Sequence, residues 1–271
     1  MFKLVAVDLD GTLLDDRKLI PSENIAAIRK IKDRGVKIVI ATGRPIAVIK
    51  KIIAQLGIDS DESYCVALNG AMVQKIGSAE IIYSANFSAR KFRHIFHLIK
   101  KYSLYLHAFS PEYGLIANRK NKYSDIECYG GVIEYREFDF EKITDDDLFY
   151  KAVLTGPREE VDRLEKNLDP VFIEMFTVVR TLPCILEFLP KGTNKGSGLQ
   201  RLADKLNIKP DEMIAFGDEH NDLEMMQTVG LPVAMGNAVQ PIKNISRIIT
   251  LTNNEAGVAY TLNELINSNK L

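Results

Sequence analysis

Cysteine is scarce in this 271-residue chain: Cys65, Cys128 and Cys184 are odd in number, far apart and never in a Cys-x-x-Cys pair. That excludes a disulfide framework and a thiolate zinc site. An excess of either charge is also missing, with 35 Lys and Arg against 36 Asp and Glu. Without a basic stripe, no nucleic-acid partner is expected. Long apolar runs are absent too. Segments such as 36–42 and 213–216 are strand-length, far below the roughly 20 residues that cross a bilayer, so no membrane partner is expected. There is no internal repeat, and the Walker A order G-x-x-x-x-G-K-[ST] does not occur, so P-loop nucleotide binding is unsupported. The chain opens directly on a strand-like run, which leaves no place for a charged and then apolar leader, and a cytoplasmic protein is expected.

What is present is an ordinary globular composition, 46% apolar and 26% charged, at a length that suggests two domains or one large one. Residues 2–7 read as a buried parallel strand. Pro21-Ser22 then precedes Ile25, Ile28 and Ile31 at helical spacing, with a glycine stop at Gly35. A strand over 36–41 follows, and then a helix opened by Pro45, with Ile46, Ile49, Ile52, Ile53 and Leu56 on one face and Gly57 at its end. The same alternation returns late in the chain: helix 197–206, strand 213–216, helix 222–229, and strands 231–234 and 247–251. Between them the texture changes to short strands with aromatics (104–109, 132–138, 150–154, 185–189) and helices at 89–101 and 159–168. The pattern predicts an α/β protein: a Rossmann-like doubly wound parallel sheet core over 1–83 and 190–271, with an inserted α+β cap domain over 84–189. Such an insertion has its two attachment points side by side and can hinge as a lid.

The chemistry gathers at the predicted strand ends. Asp8 and Asp10, in Val7-Asp8-Leu9-Asp10-Gly11-Thr12, end the first strand, where ligands of open α/β sheets bind. Gly11 lets the chain turn at once, so the two carboxylates need not be equivalent. Thr42-Gly43-Arg44 follows the second strand and precedes a helix start, a setting that suits a phosphate. Lys195, among the glycines of Gly192-Thr-Asn-Lys-Gly-Ser-Gly198, would bring one cation close to backbone donors. Gly217-Asp218-Glu219-His220-Asn221-Asp222 ends another strand with hard oxygen ligands of the kind Mg²⁺ takes, Asp218 as ligand and Asp222 behind it. Together these residues describe a reaction. Asp8 and Asp218 hold Mg²⁺, Lys195, Thr42 and Asn221 clamp phosphate oxygens, Asp8 attacks phosphorus, and Asp10 handles the protons. Other polar clusters read as structural: His94 and His97 lack further ligands, and Asp145-Asp146-Asp147 reads as an exposed turn.

In these motifs the chain resembles the haloacid dehalogenase superfamily, and within it the Cof-type phosphatases with a large inserted cap of the C2B kind. The signatures are Asp8-Leu-Asp10-Gly-Thr12, Ala41-Thr42-Gly43-Arg44, Lys195 in Lys191-Gly-Thr-Asn-Lys-Gly, and Gly217-Asp218-Glu-His-Asn221-Asp222. The resemblance implies Asp8 as nucleophile, Asp10 as general acid and base with its backbone carbonyl on Mg²⁺, Asp218 as metal ligand, and Thr42, Lys195 and Asn221 on phosphate. Leu68-Asn69-Gly70-Ala71 and Glu187 also match the Cof pattern, without an assigned role. Asp10 favours phosphoryl transfer over dehalogenation. The expected activity is Mg²⁺-dependent hydrolysis of small phosphorylated metabolites such as sugar phosphates or phosphorylated cofactors. Phosphotransfer to a sugar hydroxyl and non-catalytic sensing of a phosphometabolite are the alternatives. Specificity is expected from cap residues, with Tyr113, Asn118, Arg119, Lys122 and Tyr129 as candidates, and Arg44 is expected to contact substrate or cap.

Overall fold

Uninterrupted apolar runs become central strands, because a strand covered on both faces has no solvent side to mark with polar residues. The computed structural model describes residues 1–271 and divides them into two units, Met1–Tyr83 with Asn194–Leu271, and Ser84–Thr193. The chain begins with β1 (Leu4–Val7), α1 (Ser22–Lys32), β2 (Lys37–Ala41), α2 (Lys50–Leu56), β3 (Ser63–Ala67), β4 (Met72–Lys75) and β5 (Ile81–Ser84). The insertion follows with β6 (Phe87–Ser88), α3 (Ala89–Lys101), β7 (Tyr105–Ser110), β8 (Gly114–Ala117), α4 (Ser124–Glu127) and β9 (Tyr135–Glu137). It continues through β10 (Leu148–Phe149), β11 (Lys151–Thr155), α5 (Arg158–Lys166), α6 (Pro170–Met175), β12 (Phe176–Leu182) and β13 (Ile185–Pro190). The first unit is completed by α7 (Lys195–Leu206), β14 (Met213–Gly217), α8 (Leu223–Thr228), β15 (Leu231–Ala234), α9 (Gln240–Ile245), β16 (Ile248–Ile249) and α10 (Gly257–Asn267).

Eight strands pair in the order β16-β15-β14-β1-β2-β3-β4-β5. From β16 to β3 every neighbour is parallel. The sequence order reverses at β1, and the crevice of such a sheet lies at the carboxyl ends beside that point. Val7 faces Phe216 on one side and Ile40 on the other. The residues that leave these strands, Asp8, Asp218 and Thr42, therefore emerge side by side. Apolar packing fixes this frame, with Leu4, Val5, Ala6 and Val7 all fully buried.

In the insertion a six-stranded sheet, β12-β13-β11-β7-β8-β9, carries α3, α5 and α6 on one face. Leu106 pairs with Leu154 and Leu154 with Leu186, while Ala108, Ala152 and Phe188 pair two residues along. These side chains join Phe92 and Ile95 of α3 and Val161 and Leu164 of α5 in one core. His107, Val153 and Glu187 alternate with them and face the other way.

The structure departs from the sequence expectations in several places, among them the strand expected over 132–138, which is only Tyr135–Glu137. The sheet is not parallel throughout, since β4 runs antiparallel to β3. The second passage between units falls at Thr193/Asn194 rather than at 189/190, because β13 runs through Pro190 and the following turn is closed by the Thr193 N–H on the Pro190 carbonyl. The helix after Pro45 opens as a 3-10 turn, Ile46–Ile49, before α2. The strand expected over 247–251 is only Ile248–Ile249. Asp147 is buried, accepting from the Thr144 N–H at 2.8 Å, whereas Asp145 is exposed and pairs with Arg93. All three cysteines are free, and no helix is long and apolar enough to cross a membrane.

Candidate active site

The ladder of β1 extends one residue past its apolar run, the Asp8 N–H donating to the Phe216 carbonyl at 3.1 Å. Asp8 is thereby fixed at the rim of the sheet with its side chain buried. Lys195 reaches the same point from the first turn of α7. That helix starts at Asn194, whose Oδ1 accepts from the Ser197 N–H at 2.7 Å while Ser197 Oγ accepts from the Asn194 N–H at 3.0 Å, a reciprocal cap. Of the flanking glycines, Gly196 and Gly198 lie inside α7 and Gly192 precedes it in a left-handed turn. A Cβ on Gly196 would stand 2.4 Å from the Glu224 carbonyl oxygen, so glycine is needed there for α7 to pack on α8.

The Lys195 ammonium is wholly buried and donates to Asp8 Oδ1 at 2.5 Å and to Asp222 Oδ1 at 2.7 Å. Burial at that depth is tolerable only for a paired ion. Asp222 Oδ2 accepts the backbone N–H groups of Asp218 and Glu219 at 2.9 and 3.1 Å. Both oxygens of Asp222 are therefore committed, and the residue orients Lys195 and the turn that bears Asp218. Asp218 Oδ1 accepts from Thr12 Oγ1 at 2.7 Å. Gly11, at φ +81°, lies so close that a Cβ would stand 2.2 Å from Asp218 Oδ2. Backbone conformation and space both require glycine there. One oxygen from each of Asp8, Asp218 and Asp222 falls within 4.8 Å of the others.

Burial dominates the electrostatics of this cluster. It raises the Asp8 carboxyl well above the ordinary range, with Lys195 pulling the other way. It pushes Asp218 up to about 7 against the hydrogen bond from Thr12. For Lys195 burial disfavours the charge, but Asp222 and Asp8 overcome it and hold the ammonium above its ordinary value. Three carboxylates thus share one ammonium. A few hard oxygens carrying more negative charge than their cation can balance form the donor set that Mg²⁺ takes.

Asp10 is held by different partners. Arg44 grips both its oxygens, Nε to Oδ2 at 2.9 Å and Nη2 to Oδ1 at 2.6 Å, and Lys18 Nζ adds a contact to Oδ1 at 2.8 Å. Burial works upward on this carboxyl, but Lys18 and Arg44 prevail and hold it below the ordinary range. Lys18 occupies the left-handed region at φ 63°. Its turn is closed by Asp15 Oδ1, which accepts the N–H groups of Arg17 and Leu19 at 3.0 and 2.9 Å.

The Thr42 N–H continues the β2–β3 ladder onto the Val66 carbonyl at 2.8 Å, and Thr42 Oγ1 accepts the Arg44 N–H at 3.1 Å. Asn69 closes this loop, its N–H donating to the Thr42 carbonyl at 3.0 Å. Its side-chain amide packs against Gly43, and its Oδ1 accepts from Asn221 Nδ2 at 3.3 Å. Leu68 and Asn69 are both left-handed, at φ 52° and 51°. Such residues cost on the order of 1–3 kcal/mol each and persist only where their surroundings fix them.

The structure therefore gathers Asp8, Lys195, Asp218 and Asp222 in one buried cluster. It joins Thr42, Gly43 and Asn221 through Asn69, and places Asp10 with Arg44. Sequence reasoning passed over Thr12 and Lys18 and left Asn69 without a role. Within the insertion, Asn118 Oδ1 accepts the Leu106 N–H at 2.9 Å, a turn contact, and Arg119 lies over the Tyr105 ring, 4.7 Å from its centre. Lys122 lies 5.2 Å over Tyr123, Tyr113 packs on Phe138, and Tyr129 is left-handed at φ 51°.

Residues 5–262 match the family of haloacid dehalogenase-like hydrolases. The chain is 33% identical, over 97% of its length and 98% of the relative's, to the Streptococcus pyogenes serotype M6 protein M6_Spy0533, whose name provisionally assigns it to the phosphatases. It is 31% identical, over 96% of its length and 94% of the relative's, to the 5-amino-6-(5-phospho-D-ribitylamino)uracil phosphatase YcsE of Bacillus subtilis strain 168. Among solved structures, a haloacid dehalogenase-like hydrolase from Bacteroides thetaiotaomicron superposes with a TM-score of 0.87 at 28% identity, covering 98% of this chain and all of that one. The chain belongs to the haloacid dehalogenase-like hydrolases and is a phosphatase.

Proposed function

We propose that this phosphatase hydrolyses phosphate monoesters of small metabolites, such as sugar phosphates or phosphorylated cofactors, with Mg²⁺ and through an aspartyl-phosphate on Asp8. The observation that carries this reading is the buried Asp8–Lys195 pair at 2.5 Å beside Asp218. It fixes a carboxylate at the crevice of the sheet and leaves negative charge for a divalent cation to balance. Mg²⁺ would be held by Asp8, Asp218 and the Asp10 backbone carbonyl. Once bound, it offsets the repulsion between an anionic phosphate and an anionic nucleophile.

The remaining steps belong to the chain. Asp8 attacks phosphorus, the P–O bond to the alcohol breaks, and Asp10 delivers a proton to that oxygen. Asp10 then takes a proton from the water that attacks the phosphoaspartate, and Asp8 is released as a carboxylate. Lys195, Thr42, the Gly43 N–H and Asn221 bind phosphate oxygens. Lys195 also favours the ionised form of Asp8, working against its burial. Both oxygens of Asp10 are engaged by Arg44 and Lys18, which favour its ionised form, so it acts as the acid only once one of these contacts opens and the carboxylate takes up a proton from solvent.

The test is phosphate release from a panel of sugar phosphates, nucleotides and phosphorylated cofactors, with Mg²⁺ or EDTA, for the wild type and Asp8→Asn. The named substrate of the Bacillus subtilis relative carries phosphate on a ribityl chain, so polyol phosphates belong on the panel. Metal-dependent release that vanishes in Asp8→Asn is expected, with Asp10→Asn slower by roughly 10² to 10⁴. Wild-type kcat in Asp8→Asn would remove the aspartyl-phosphate from the mechanism.

A further inference from the structure

The loop after β15 touches both halves of the acidic cluster. At residues 235–239 its backbone follows β14 outward, the Met235 N–H donating to the Gly217 carbonyl at 3.1 Å and the Val239 N–H to the Asp218 carbonyl at 2.9 Å. From the same loop the Asn237 side chain turns to the other motif, its Nδ2 donating to the Gly11 carbonyl at 2.8 Å. Asn237 is itself set from behind, its Oδ1 accepting the Asn253 N–H at 3.0 Å. Asn253 is buried, and its own Nδ2 donates to the Leu14 carbonyl at 3.0 Å and to Asp16 Oδ1 at 3.1 Å. One short loop therefore holds the Asp218 backbone and the turn between Asp10 and Thr12 together.

The spacing it holds is the one the metal reading needs. Gly11 lies against Asp218 with no room for a Cβ, and Thr12 reaches Asp218 Oδ1 at 2.7 Å. Rotation of the Gly11–Thr12 peptide would move the Thr12 hydroxyl and shift the Asp10 carbonyl relative to Asp218. The Gly11 carbonyl is an endpoint of that peptide, and Asn237 is the side chain that fixes it.

We infer that Asn237, seated on Asn253, is a positioning residue for the divalent-cation site, setting the distance between the Asp8–Asp10 turn and Asp218. This rests on the proposal that Asp8 and Asp218 bind the metal. The assignment follows the general behaviour of outer partners of metal ligands, whose loss weakens metal affinity by about 10- to 100-fold. An exposed amide such as Asn237 falls at the low end of that range.

The experiment is Mn²⁺ binding to the whole protein without substrate, read by the electron paramagnetic resonance signal of free Mn²⁺, together with the thermal midpoint. The variants are Asn237→Ala, Asn254→Ala and Asp218→Asn, with Asn237→Ser should the alanine variant fail to fold. Asn254 is the comparator because its amide ties the loop after β1 at Asp16, at 2.9 Å, away from Gly11. Asn237→Ala is expected to weaken Mn²⁺ binding about tenfold with little change in thermal midpoint, and Asn254→Ala to bind as the wild type does. Wild-type affinity in Asn237→Ala, or an equal loss in Asn254→Ala, overturns the role of Asn237 while Asp218→Asn still abolishes binding. Undiminished binding in Asp218→Asn overturns the metal reading and this inference with it.

Discussion

Lys195 in the first unit and Lys151 in the inserted unit are both wholly buried, each beside two carboxylates. Lys151 donates to Glu187 Oε1 at 2.7 Å, lies 3.9 Å from Glu127 Oε2 and stands 4.8 Å over the Phe109 ring. His107 beside it adds no charge. Burial, helped by Lys151, lowers that imidazole to about 4, and its Nε2 meets Ser124 Oγ at 3.0 Å. Two carboxylates against one ammonium leave one negative charge in excess. Burial pushes Glu127 up to about 7 against the pull of Lys151, so a single proton settles the cluster. Around Lys195 the third carboxylate, Asp218, makes the excess two. A divalent cation balances that count, and the cluster lies at the strand ends where a ligand can reach it. The same buried element, a lysine among acids, thus carries one carboxylate in excess in one unit and two in the other, and on the proposed reading a divalent cation takes up the larger excess.

Removing the lysines separates the two clusters most sharply. Lys195→Met and Lys151→Met each strand buried carboxylates, and each is expected to cost about 3–5 kcal/mol in denaturant unfolding. Lys195→Met should in addition lower kcat of the folded protein on the order of 10²-fold or more, through lost charge stabilisation. Equal kcat losses in the two variants would erase the distinction.

The proton on Glu127 gives the next largest effect. Its folded pKa of about 7 lies above the ordinary value, so the folded state binds more protons than the unfolded one between about pH 4.5 and 7. Stability from this group is full below that window and is lost as pH rises through 7. Glu127→Gln mimics the protonated form next to Lys151, Glu187, His107 and Tyr129. It should match the wild type near pH 4.5 and exceed it by about 3 kcal/mol at pH 8. Parallel stability curves for the two proteins would place the excess charge elsewhere.

Metal provides the smallest of these contrasts. Mg²⁺ at about 100 times its Kd should stabilise the wild type by about 2.7 kcal/mol. Glu127→Gln should keep that gain and Asp218→Asn should lose it. A gain retained in Asp218→Asn would move the metal away from the cluster.

Much of this arrangement was legible in the sequence because it follows local rules. Apolar runs that end in Asp8, Thr42 and Asp218 read as strands leading into a crevice, and α3 over Ala89–Lys101 follows from periodicity alone. The strand Ser63–Ala67 was not legible, since SYCVA is short and begins with a polar residue. Its pairing with β2 decides it. Thr12, Asn69 and Asn237 escaped for a different reason. Each is an ordinary loop polar residue whose partner lies 206, 152 or 226 positions away. The cluster around Lys151 was hidden because lysine in a strand usually marks its solvent face, and a fully buried one is the exception.

The most direct measurement is calorimetric titration of Mg²⁺ into the wild type and Asp218→Asn near pH 7, repeated in two buffers of different ionisation enthalpy. Metal binding to carboxyls that burial holds protonated must release protons. One site in the wild type, with heat that depends on the buffer, and none in Asp218→Asn is the expected result. Absence of binding in the wild type, or unchanged binding in Asp218→Asn, would show that the excess charge around Lys195 is not there for a divalent cation.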